Sequence, residues 1–167
     1  KVIAWNLAME EMTGVQKEDI IGKGDYEYAL PFYGERRPIL TDLVFSSDEE
    51  IESRYAQVGK KGNTLFAEIY SPFMYVGKGA YLWGIATPLY DPEGNVVGAI
   101  ESIRDISERK RAEEALRKSE EKYCSLVEST EDSVYLVDRD CRYHFMNENH
   151  LSRIGMPKDQ VIGKTYG

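Results

Sequence analysis

Cysteine and histidine are scarce in this 167-residue chain: Cys124, Cys141, His144 and His150 are all there are. The two cysteines are not in a metal-ligand spacing and read as free thiols of a reducing compartment, so the cytoplasm is the expected location. Neither histidine stands with a Ser or Cys in a triad arrangement. Long apolar runs are missing too. None approaches the roughly 20 residues that span a bilayer, and no signal peptide opens the chain. A basic face is lacking: the net charge of −8 argues against nucleic acid and against an anionic membrane surface as partners. Gly77-Lys78-Gly79 is too short to cradle a phosphate and reads as a hairpin connection. Glu49, Glu50 and Glu52 belong to a solvated helix face rather than to an acid–base pair. No metal site and no catalytic site are expected.

What the chain does contain is 42% hydrophobic and 30% charged residues, the balance of a soluble globular protein. Its organising stretch begins at Arg104-Asp105-Ile106-Ser107 and continues as a charged run to Glu128 without Gly or Pro. Asp105 or Ser107 can cap a helix start there. The helix should run to Glu128, roughly 35 Å at 1.5 Å per residue. An apolar line through Ala112, Leu116, Ser119, Tyr123 and Leu126 has the alternating four-and-three spacing of a coiled-coil seam. Leu116, Tyr123 and Leu126 are the expected dimer seam, and a solvated connecting helix is the other reading.

Ahead of that helix, Val2–Asn6 reads as a strand, residues 7–12 as a short helix ended by Gly14, and Lys17 to Gly22 as another helical turn. Residues 38–44 have helical spacing, and Asp48 starts a further helix with carboxylates in its first turns. Gly59-Lys60-Lys61-Gly62-Asn63 is a loop by composition. The period then becomes two: strands are expected over 64–70, 80–90 and 96–104, with a turn at Asp91-Pro92-Glu93-Gly94-Asn95. Beyond the helix, 133–137 and 142–147 read as strands around a turn at Asp138-Arg139-Asp140-Cys141.

The start of the chain recurs 141 positions later without a gap. Asn6 falls on Asn147, Gly14 on Gly155, Lys17 on Lys158, and Ile21-Gly22-Lys23 on Ile162-Gly163-Lys164. The chain therefore enters a second copy of its own pattern. With Lys1 in place of an initiator Met, it is expected to be a piece of something longer.

These motifs, with the Asp105-Ile106-Ser107 triplet closing a three-strand meander, resemble the PAS sensory family, with Ser where that family usually has Thr. The resemblance implies an α+β fold: a PAS-like antiparallel sheet flanked by short helices, a long linker helix, and the first half of a second PAS domain. The expected division is residues 1–106, 107–129 and 130–167. The resemblance also implies a central strand before Val2. Its counterpart in the second copy, 133–138, could enter the first sheet if the helix turned near Lys118-Ser119, or could enter a second chain; the competing account is a cut sequence whose two halves stand apart with exposed edges, though the vacant slot is expected to attract a strand. Pairing of 133–138 with both 2–6 and 96–104 would establish that; pairing with 142–147 alone would exclude it.

The resemblance further implies a module that senses a small ligand or holds a dimer and relays a change through the helix, with Arg104, Asp105, Ile106 and Ser107 as relay residues. The expected parent is a multi-domain cytoplasmic two-component protein, a sensor histidine kinase, with neighbouring PAS and kinase domains. A cyclic-dinucleotide enzyme, or a structural dimerisation module without ligand, is the alternative. Residues 24–58 hold neither the His of a haem-binding PAS domain nor the Cys of a flavin photosensor, so haem and covalent flavin are not expected in the first copy. A pocket wall is expected from Tyr26, Tyr28, Phe32, Tyr33, Arg36 and Arg37, facing the meander's inner side, with the arginines forking a small anionic ligand. Alternatively the aromatics are plain core and the arginines pair with surface acids.

Overall fold

The computed structural model describes residues 1–46 and 58–165. The helix expected from Asp48, with Glu49, Glu50 and Glu52, lies outside the described residues. The chain divides into two compact units, Lys1–Lys110 and Arg111–Gly167.

The first unit opens with α1 (Leu7–Thr13) and α2 (Lys17–Ile20). Asn6 accepts from the Met9 N–H at 3.0 Å and so caps α1; Gly14, at φ 75°, ends it in the left-handed conformation. A 3-10 turn (Glu27–Ala29) leads into α3 (Leu30–Tyr33), and α4 (Leu40–Leu43) follows. Strands β1 (Val58–Lys61), β2 (Thr64–Ser71), β3 (Ala80–Tyr90) and β4 (Val96–Asp105) form one antiparallel sheet in the order β1-β2-β3-β4.

Alternation along the strands gives this sheet a packed inner face. Leu65 and Ala67 of β2 and Ala86 of β3 pack with Leu40 and Leu43 of α4. Nearby, Ala80 and Leu82 pack with Met12, Phe32 and Met74. The short helices thus sit on one face, as burial of the period-two apolar positions requires. Phe66, Tyr70 and Tyr81 on the opposite face stay exposed.

Helix α5 (Ser107–Ser129) is one uninterrupted helix that begins where β4 ends. In the second unit β5 (Tyr135–Val137) and β6 (Tyr143–Met146) form a two-stranded hairpin, followed by α6 (Glu148–Ile154) and α7 (Lys158–Val161). The repeat is visible bond by bond. The Val2 N–H donates to Lys23 and the Gly22 N–H to the Val2 carbonyl, both at 2.8 Å. At +141, the Tyr143 N–H donates to Lys164 at 3.0 Å and the Gly163 N–H to Tyr143 at 2.7 Å. Asn147 caps α6 on the His150 N–H at 3.0 Å, as Asn6 caps α1.

Three expectations are corrected. Residues 1–6 contain no strand: among the described residues Val2 alone is bridged, to Gly22 and Lys23, and a ladder needs a partner along its length. The segment read as a loop at Gly59–Asn63 is mostly β1, whose Lys61 pairs with Thr64 across a two-residue Gly62-Asn63 turn. Gly62 takes the positive φ such a hairpin needs at its first central position. Finally, β5 pairs with β6 alone, with no break of α5 near Lys118-Ser119, so 133–138 does not enter the first sheet.

Candidate functional site

Among the described residues, two places in the first unit bring chemistry together: a cavity under the sheet and the junction from which α5 leaves it. The cavity lies between the inner face and the α3–α4 segment. Phe32, Tyr33, Leu40, Ile69, Leu82 and Glu101 line it, with Gly84 beside them. Its volume is about 20 Å³, room for one water-sized group.

Among the described residues that line it, Glu101 is the one charged side chain. It pairs with Ala86 across β3–β4, which puts it on the inner face. Its carboxylate accepts from the backbone N–H and the hydroxyl of Thr41, in the first turn of α4. Burial pushes its pKa up to about 7, Thr41 opposes that, and the nearby Asp42 carboxylate adds to it. Asp42 itself accepts from the Ile39 N–H at 2.9 Å and from the Tyr28 hydroxyl. Burial first, and then Asp42, hold the Tyr28 hydroxyl well above the usual tyrosine range. Gly84 leaves the space open: a Cβ there would stand 3.1 Å from Glu101 Oε1 and from a Leu40 methyl.

Of the residues expected to form the wall, Phe32 and Tyr33 line the cavity. Tyr26 is over one third exposed and meets Tyr28 edge to face, and Tyr28 is turned to Asp42. Arg36 is bound at the surface to Asp25 at 2.9 Å and Glu27 at 2.7 Å. Arg37 lies over the Tyr33 ring, 4.6 Å from its centroid.

At the junction, both candidate caps are used, for different purposes. Asp105 Oδ1 accepts from the Ser107 N–H at 2.8 Å and caps the helix. The Ser107 hydroxyl instead accepts from the Tyr81 N–H at 2.9 Å, while the Ile106 N–H donates to the Tyr81 carbonyl at 2.8 Å. Ile106 and Ser107 are buried, so the triplet is stitched to β3. Asp105 also takes the hydroxyl of Tyr75, from the β2–β3 connection. Glu68, on the outer face of β2, pairs with Arg109 and with Lys110 at 2.6 Å. Hydrogen bonds from these two cations hold its carboxyl below the usual carboxylate range. Arg104 pairs with Trp83 on the outer face, one residue before the cap.

Beyond its first turn, Leu116, Tyr123 and Leu126 of α5 are all more than half exposed. Sequence reasoning missed Glu101, Thr41, Glu68, Tyr75 and Tyr81. Glu101 had a visible signal, an acid at an inward position of an alternating strand. Tyr75 and Tyr81 had none, since their roles rest on loop conformation and a backbone amide.

A family model described as PAS fold matches residues 1–111. Among curated proteins, the virulence sensor protein BvgS of Bordetella pertussis is 37% identical over 62 residues, 37% of this chain and 5% of that protein. Its counterparts in Bordetella bronchiseptica and Bordetella parapertussis match to the same extent. The match thus spans about a twentieth of these relatives' own length.

Proposed function

The chain belongs to the PAS fold family, and on that premise we propose that it is a sensory and relay module of a sensor-kinase-type protein, with α5 as its output. The observation that carries this reading is the first turn of α5. Asp105, Ser107, Arg109 and Lys110 bind it to three parts of the sheet: the β2–β3 connection, β3 and β2. A shift of the sheet against its helices therefore acts directly on the helix start. The cavity lies on the other side of the same strands, and β4 runs from Glu101 on its wall to Asp105 at the cap. The partial likeness to a virulence sensor, of which the match spans 5%, supports a longer signalling parent.

Replacing Asp105 by Ala removes the cap and the Tyr75 contact, a change worth about 1–3 kcal/mol locally, while the sheet keeps its ladders. Amide hydrogen exchange over residues 106–120 should accelerate with the melting of the sheet little changed. Unaltered exchange there would refute the relay.

A second reading, dimerisation through α5, is favoured by the exposure of Leu116 (61%), Tyr123 (66%) and Leu126 (57%) at heptad spacing. The two are compatible: a homodimer seam on the output helix is the surface through which a relay would reach the rest of the parent protein.

A further inference from the structure

We propose that the cavity between α3, α4 and β4 receives the ammonium head of a short primary alkylamine, with Glu101 as its anionic partner; this rests on the reading of that cavity as the sensing site. The space is that of one water-sized group, which an ammonium matches. The head alone fills that space; among the described residues its walls are apolar and aromatic apart from Glu101, so they suit a short alkyl stub leaving through the cavity's open side. Among the described residues the charge facing Glu101 has one sign. Facing Glu101 from α4 is Asp42, a second acid, and Thr41, which is uncharged; from the 3-10 turn comes Tyr28, committed to Asp42. The nearby cations have other partners: Arg36 is held by Asp25 and Glu27, and Arg37 lies over Tyr33. A carboxylate ligand would meet two acids there, whereas an ammonium would relieve their repulsion. A carboxylate offers about four acceptor positions, and Thr41 supplies two donors. Glu101 Oε1 lies beside Gly84, where the missing side chain leaves room.

The sign of the pH dependence follows. Glu101, pushed up to about 7 by burial, is largely neutral at pH 5.5 and ionised at pH 8. Amine binding should therefore weaken as pH falls through 7. With three heavy atoms, ethylammonium would bind no tighter than about millimolar.

The test is a titration of the full chain at pH 8 with ethylammonium chloride, sodium acetate and ethanol at constant ionic strength, read by amide NMR shifts at Thr41 and Gly84. Saturable shifts with ethylammonium alone are expected, weakened at least tenfold in Glu101→Gln and again at pH 5.5. Gly84→Ala, which fills the space without altering charge, should weaken them as well if Glu101→Gln does not fold. An equal response to acetate or ethanol, or amine binding that survives both substitutions, would overturn the proposal. So would the absence of any saturable response. Saturation by acetate alone would overturn it in favour of a ligand held by Arg37 and leave the sensory reading standing. The relay is decided separately, by exchange at α5.

Discussion

Val76 is a β-branched residue at φ 60°, directly after Tyr75 at φ 52°, and it is almost fully exposed. Left-handed backbone costs such a residue roughly 1–2 kcal/mol. No packing of its own offsets that cost, whereas the Tyr75 hydroxyl holds its stretch of chain to Asp105. Val76→Asn, which tolerates this conformation, should stabilise the chain by about 1 kcal/mol in urea unfolding. A destabilised variant would mean that Val76 has an unseen partner. Glu101 supplies a second test at this scale. Its folded pKa stands above the ordinary carboxylate value, so its contribution is fully present below about pH 4.5 and is lost as pH rises through about 7. Glu101→Gln should accordingly stabilise the ligand-free protein at pH 8, by on the order of 1–3 kcal/mol, and much less at pH 5. Equal melting of variant and wild type at pH 8 would contradict this.

At the scale of elements, what could be read ahead was what repeats or alternates. Strands β2, β3 and β4 followed from period two, and α5 from a cap followed by a long run without breakers. β1 was hidden because Gly59 and two lysines look like loop, yet an edge strand needs only backbone partners and tolerates both. Gly59 also leaves the Phe66 ring its place: a Cβ there would sit 2.0 Å from that ring, which would have to move. Val2–Asn6 misled in the opposite direction, having the composition of a strand without a neighbour to pair with. The cavity wall was half legible, through Phe32 and Tyr33, while its charged member came from β4, far away in sequence. The docking of α5 was legible at Asp105 and not at Glu68, whose role depends on how the helix leaves the sheet. Glu68→Gln weakens two ion pairs whose side chains are about one third to one half exposed, so the loss should stay under about 1 kcal/mol. It should raise exchange at 108–112 only, less than Asp105→Ala does. No change at those amides would remove Glu68 from the junction.

For the whole molecule, one structural phrase is used twice: an Asn cap, a seven-residue helix, a glycine stop, and a tight turn that returns to bond the residue four places before the cap. Helix α5 is the covalent link between the unit that carries the complete four-stranded sheet and the unit that carries the second copy. Its exposed seam leads to a mass prediction: in light scattering at high micromolar concentration the wild type should be a dimer, and Leu116→Glu should shift it toward monomer. A monomeric wild type would end the dimer reading. The relay itself is tested most directly by perturbing the cavity and reading the helix. Gly84→Ala puts a methyl 3.1 Å from both Glu101 Oε1 and Leu40, pressing β4 and α4 apart by a few tenths of an ångström. The account predicts that amide exchange over residues 106–120, beyond the far end of β4, changes in this variant while the fold persists. Exchange changes confined to the peptides around Gly84, Leu40 and Glu101, with 106–120 identical to wild type, would contradict it.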